Sequence, residues 1–188
     1  MSIHQWYGTK HLCEFCVDVE PIPQGSKTAF VTKKGKAVVV EGRNAEGRER
    51  FNTWRQDVQQ AAHKAREEMG FELQEDQAIQ VVIFFYFDRP KSVSVKKRPS
   101  HTVAPDVDKL VRAVFDALTG IIFKDDAQVV NVSAYKAYCE GDLSPGARIK
   151  LDVVVPIYDE KGDLRNIKPD AQEPAEAGPR KRVLVRRG

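Results

Sequence analysis

Apolar residues recur along this chain in several rhythms, and each rhythm predicts a different element. Over residues 12–19, Cys13, Phe15, Val17 and Val19 fall on one face and Glu14 and Asp18 on the other, a period of two that predicts a strand closed by Pro21, Pro23 and Gly25. Residues 28–32 and 37–41 flank the turn-like KKGK of residues 33–36, which reads as a hairpin with a basic tip. From about Gly47 to Met69 the steps become three and four: Phe51, Trp54, Val58, Ala61, Ala65 and Met69 form one stripe along a long helix that packs on a sheet. That spacing assigns Phe51 and Trp54 to a core and not to base stacking. AIQVVIFFYF at 78–87 is apolar on both faces and rich in β-branched and aromatic residues, the pattern of a buried central strand.

Helical spacing returns over 108–119 through Leu110, Val111, Val114, Phe115 and Leu118, with Gly120 placed to end the helix. Residues 129–138 and 147–156 read as two further strands joined through GDLSPG, and they are expected to pair as a hairpin. The sum is an α/β fold, a mixed sheet of four to five strands backed by two helices.

Two segments lack any rhythm. RPKSVSVKKRPSH at 89–101 is a basic loop that feeds directly into the second helix. After Tyr158 the chain turns charged and Pro- and Gly-containing, ending PRKRVLVRRG with five basic and no acidic residues. The expected organisation is one globular domain over 1–158 and a flexible basic tail over 159–188. With 30 Lys and Arg against 27 Asp and Glu, the 188-residue chain carries a net charge of only +3, so where the charges sit matters more than their sum. The odd set Cys13, Cys16 and Cys139, with no apolar leader, predicts a reduced, cytosolic compartment. No apolar run approaches the roughly 20 residues that span a bilayer, so no membrane partner is expected.

Chemistry concentrates at the second helix. Asp106 and Asp108 stand at its mouth, and Asp125 and Asp126 follow its end. Carboxylates repel, and gathering them calls for a cation; hard, oxygen-liganded Mg²⁺ suits them, with Mn²⁺ as a substitute. Asp106 and Asp108, two apart in extended chain, share a face, and Asp108 also reads as the helix N-cap. Arg112 and Asp116 follow Asp108 at four-residue steps on one side of the helix, where Arg112 can clamp a phosphate and Asp116 can pair with it. For the following strand to rejoin the sheet the chain must reverse after Gly120, which is expected to return Asp125 and Asp126 towards the helix. Cys13 and Cys16 form a CxxC, but no second pair follows and residues three apart on a strand face opposite ways; a core thiol and an edge thiol are expected, and no zinc.

PDVDKLVRAVFDALTG followed by DDAQVV resembles the RusA family of Holliday junction resolvases, common in phages and prophages, with weaker similarity over roughly 12–156. The resemblance implies a homodimeric, Mg²⁺-dependent endonuclease that cuts paired strands of four-way DNA junctions in a bacterial cytoplasm, serving recombination and repair. It implies Asp106, Asp108 and Asp126 as catalytic metal ligands and Asp125 as their neighbour. The family's essential lysine position holds Arg112, which keeps the charge but not the compact ammonium; Lys109 partly compensates. Lys33, Lys34 and Lys36 at the hairpin tip, Lys96, Lys97 and Arg98 in the basic loop, and Lys136 in the next strand are the expected DNA contacts. Two other readings stay open: a nuclease acting more broadly on flaps and forks, and a catalytically silent junction-binding protein.

Overall fold

The computed structural model describes residues 7–25, 27–41 and 44–158, so the expected tail over 159–188 lies outside the described residues. Internal contacts divide the chain into a large unit, Thr9–Val155, and a second unit from Met1–Gly8 with Pro156–Gly188. Of that second unit only Tyr7, Gly8, Pro156, Ile157 and Tyr158 are among the described residues.

In chain order the elements are β1 (Tyr7–Val17), β2 (Lys27–Val31), β3 (Ala37–Glu41), α1 (Ala45–Met69), β4 (Ile79–Phe87), α2 (Val107–Leu118), β5 (Val129–Tyr138) and β6 (Gly146–Pro156). A four-stranded sheet runs β1-β6-β4-β5, and β2 and β3 form the expected antiparallel hairpin. β4 pairs parallel with β5 and antiparallel with β6. Two side-chain pairs, Glu14 with Arg148 and His11 with Asp152, run in opposite senses along β1 and β6, so β1 is antiparallel to β6.

The hairpin expected between β5 and β6 does not form, because β4 lies between them. Partner choice follows burial: β4 is the most continuously apolar strand and takes the interior, while β5, with Asn131, Ser133 and Lys136, takes the edge. β4 is nevertheless covered on one face only. Ile79, Val81, Ile83, Phe85 and Phe87 are buried, whereas Phe84 on the other face is 37% exposed and stacks on Tyr135 with ring centroids 5.0 Å apart.

α1 begins at Asn44, whose side chain accepts a hydrogen bond from the Gly47 N–H at 2.8 Å, and ends at Gly70 in the left-handed conformation that a Cβ would strain (φ 65°). Its buried stripe is Trp54, Val58, Ala62 and Ala65; Met69, expected on that stripe, is exposed in the last turn. α2 buries Leu110, Ala113, Val114, Ala117 and Leu118 in the same core. Valine- and leucine-sized side chains among these contribute about 1.5–3 kcal/mol each by leaving water, so these two stripes and the inner face of the sheet hold the helices in place. Beyond α2, Gly120 adopts φ 79° and Ile121, Ile122 and Phe123 turn into the core. Cys13 is buried and Cys16 exposed, as expected from their opposite faces of β1. Among the described residues, no helix is long and apolar enough to cross a membrane.

Candidate active site

Asp106 occupies the N-cap position of α2, displacing Asp108, the residue whose spacing suggested a cap, into the first turn. An aspartate there ordinarily accepts a hydrogen bond from the first free backbone N–H groups. Asp106 makes no such bond. Its carboxylate instead meets the Lys109 ammonium at 2.8 Å, which holds the acid below its ordinary range and raises the lysine. Asp108, exposed in the first turn, has no ion pair among the described residues. Both carboxylates sit at the N-terminal end of α2, where the helix dipole is positive.

Several contacts set the approach to this mouth. The Lys136 ammonium, reaching from β5, donates to the Val103 and Pro105 carbonyls at 2.8 and 2.6 Å. The Gln24 N–H donates to the Lys109 carbonyl at 2.9 Å, laying the segment after β1 along α2. Between these walls lies an open groove of about 470 Å³ lined by Glu20, Gln24, Phe87, Pro105, Asp106 and Lys109 among others.

The basic loop has no helix or strand, but it is pinned. The Arg89 guanidinium donates to the Arg98 and Pro99 carbonyls and lies 4.1 Å over the Tyr138 ring, and Arg98 donates to the Tyr138 hydroxyl at 3.3 Å. His101 is buried between Phe87 and Tyr138, with centroids at 4.4 and 4.8 Å. Burial first, then the Lys136 charge, lowers its pKa, so the imidazole is held neutral. Its role as the inner wall of the loop escaped sequence reading because one histidine in a polar segment carries no periodic signal. Lys96 and Lys97 are exposed, as are Lys33, Lys34 and Lys36 on the hairpin tip.

The acids expected to join Asp106 and Asp108 lie elsewhere. α2 is 12 residues long, about 18 Å at 1.5 Å per residue, and the chain re-enters the sheet at the start of β5, beside the start of β4. Lys136, near the far end of β5, is the residue that meets Pro105, so Asp125 and Asp126 come back at the wrong end of the helix to share a site with Asp106 within one chain. No group of three acids, histidines or cysteines suited to a metal occurs among the described residues. Asp125 caps a short 3-10 turn, Asp126–Gln128, accepting from the Ala127 N–H at 2.8 Å. Asp126 is exposed at the start of that turn. Asp116 does not pair with Arg112; it accepts from Gln24 Nε2 at 2.6 Å, while Arg112 is exposed without an ion pair among the described residues.

The family described as endodeoxyribonuclease RusA matches residues 18–152, most of the chain and all of these positions. The chain belongs to the RusA endodeoxyribonuclease family. The mixed four-stranded sheet with its two helices is thus the RusA fold in this chain, and the acid-bearing helix mouth lies within the matched region. A curated relative, "Uncharacterized protein YqaN" of Bacillus subtilis (strain 168), is 42% identical over 64 residues, covering 29% of this chain and 45% of the relative. The chain therefore spans under half the length of that relative.

Proposed function

We propose that this RusA-family chain is a Mg²⁺-dependent endodeoxyribonuclease that resolves Holliday junctions by paired strand cleavage, as a homodimer, in recombination and repair. The observation that carries the reading is the behaviour of Asp106: at a position where an aspartate ordinarily caps a helix, it leaves the backbone donors alone and turns to an ammonium, beside an Asp108 that has no ion pair among the described residues. Two hard oxygen donors fit Mg²⁺, which commonly takes one or two carboxylates and completes its shell with water and substrate phosphate. Mn²⁺ suits the same donors. Bound there, the metal would supply Lewis acidity and an activated water for phosphodiester hydrolysis.

The chain's own groups serve that chemistry. Lys109 keeps the Asp106 carboxylate ionised and restrains it. Arg112, one turn beyond Asp108 on the same side of α2, is available to a phosphate oxygen and to charge developing in the transition state. A guanidinium offers a delocalised charge and a fork of donors, so its part is electrostatic. Lys33, Lys34, Lys36, Lys96 and Lys97, all exposed, suit the phosphate backbone, with selection by junction shape above base identity.

Asp126 enters this scheme through the second subunit. β5 is an edge strand with Val130, Val132 and Tyr135 exposed, a surface that invites another strand. Antiparallel pairing of β5 with its copy about a two-fold axis would carry the Asp126 end of one chain to the Asp106 end of the other. Among the described residues no third acid joins this pair within one chain, which favours the second reading of a silent junction binder. Incubation of the protein with a synthetic four-way junction, a flap, a fork and a duplex, with and without Mg²⁺, separates the readings: symmetric Mg²⁺-dependent cuts in the junction support resolution, equal flap and fork cutting supports the broader nuclease, and binding without cleavage supports the silent binder.

A further inference from the structure

We propose that Lys136 is a positioning residue that holds the Asp106 carboxylate at the mouth of α2, and not a DNA contact. The inference rests on the reading of Asp106 and Asp108 as the metal-holding pair. Lys136 stands opposite Phe85 in the β4–β5 register, on the face of the sheet that packs against the helices. An ammonium has three donors and no acceptor, and here two of them are engaged by the carbonyls of Val103 and Pro105, at 2.8 and 2.6 Å. Charge-assisted bonds of this kind are about twice as strong as neutral ones.

Their placement gives them a specific effect. Residues 103–105 form neither helix nor strand, and Pro105 is the residue immediately before Asp106. Fixing the Pro105 carbonyl therefore fixes where α2 begins and where its first carboxylate emerges. The same ammonium lies close enough to His101 to lower its pKa, behind burial. A lysine whose donors are spent on the protein backbone, under the loop it anchors, has little left for a phosphate. The exposed Lys96 and Lys97 of the same loop have that freedom.

The test compares wild type, Lys136→Met, Lys136→Gln and Lys136→Arg in four measurements: Mn²⁺ binding to the free protein, deuterium uptake over residues 101–110, junction affinity in EDTA as a function of salt, and junction cleavage. Positioning predicts that Lys136→Met binds Mn²⁺ about tenfold more weakly or worse and exchanges faster over 101–110, with junction affinity within about twofold and an unchanged salt slope; Lys136→Arg, which can still reach carbonyls, recovers most of the Mn²⁺ binding. Weaker junction binding with a salt slope shallower by about one, and unaltered Mn²⁺ binding, would overturn it in favour of a phosphate contact. Loss of a cooperative melt in both Lys136→Met and Lys136→Gln would overturn it in favour of a purely structural role. If wild type cleaves no junction while the Mn²⁺ and exchange effects appear, the nuclease reading fails and the positioning role stands.

Discussion

The Lys109 ammonium lies 2.8 Å from the Asp106 carboxylate, three residues away on the first turn of α2. This pair replaces a helix cap, and it puts a compact cation beside the two acids. Lys109→Met is therefore expected to lower junction cleavage by about tenfold to a hundredfold, within the range for loss of one preorganised charge-stabilising group. The melting temperature should hardly change, since both groups are solvent-accessible. Arg112→Lys should retain or raise activity if position 112 supplies only charge; collapse of activity would assign the role to the planar guanidinium. Single-turnover cleavage rates and thermal melts of the two variants check both expectations.

Separation of Asp126 from Asp106 and Asp108 along β5 makes a subunit-mixing experiment decisive for the proposed dimer. Asp108→Asn and Asp126→Asn should each be inactive alone. Co-refolded, they form heterodimers in which one site has two mutated acids and the other has none, so about one strand per junction is cut. Sites made within single chains would give no recovery, and that result would remove the composite arrangement.

His101 connects loop packing to pH. Its folded-state pKa is lowered below the ordinary 6.5 by burial and by the Lys136 charge, so the folded protein resists a proton that the unfolded chain accepts. Stability attributable to this group is complete above the unfolded value and declines as pH falls below about 6.5. Urea unfolding of wild type between pH 7.5 and roughly pH 5 should show this decline, and His101→Phe, which keeps an aromatic between Phe87 and Tyr138, should lack that component. Parallel pH profiles would contradict it.

Phe123 and Met69 make opposite predictions for stability. Phe123 is fully buried where the chain turns back after α2, and Phe123→Ala should cost about 3–5 kcal/mol in chemical unfolding. Met69, 53% exposed, should tolerate Ala within about 0.5 kcal/mol. Comparable losses for both would mean that the stripe of α1 extends to its last residue after all.

Local rhythm made much of this fold legible in the sequence. The α1 stripe, the β2–β3 hairpin and the β4 strand each announce themselves within a window of neighbours, and the helix mouth with Asp106 and Asp108 is a local feature too. What escaped is non-local. β5 and β6 look like a hairpin until β4, more apolar than either, takes the place between them. The return of Asp125 and Asp126 was foreseeable, but not the end of α2 to which they return, since that depends on β5 running parallel to β4. The contacts of Lys136 were not legible either, because its partners, two backbone carbonyls some thirty residues away, carry no side-chain signature.

Asp106 and Asp108 are proposed to hold a metal for phosphodiester cleavage. The most direct test of that role is cleavage of a synthetic four-way junction by Asp108→Asn, beside wild type, across a Mg²⁺ titration, with junction affinity measured in parallel. A metal held by these two acids predicts symmetric Mg²⁺-dependent cuts by wild type, and in the variant a loss of cleavage on the order of a thousandfold with affinity within about threefold. Full Mg²⁺-dependent cleavage by Asp108→Asn would contradict it.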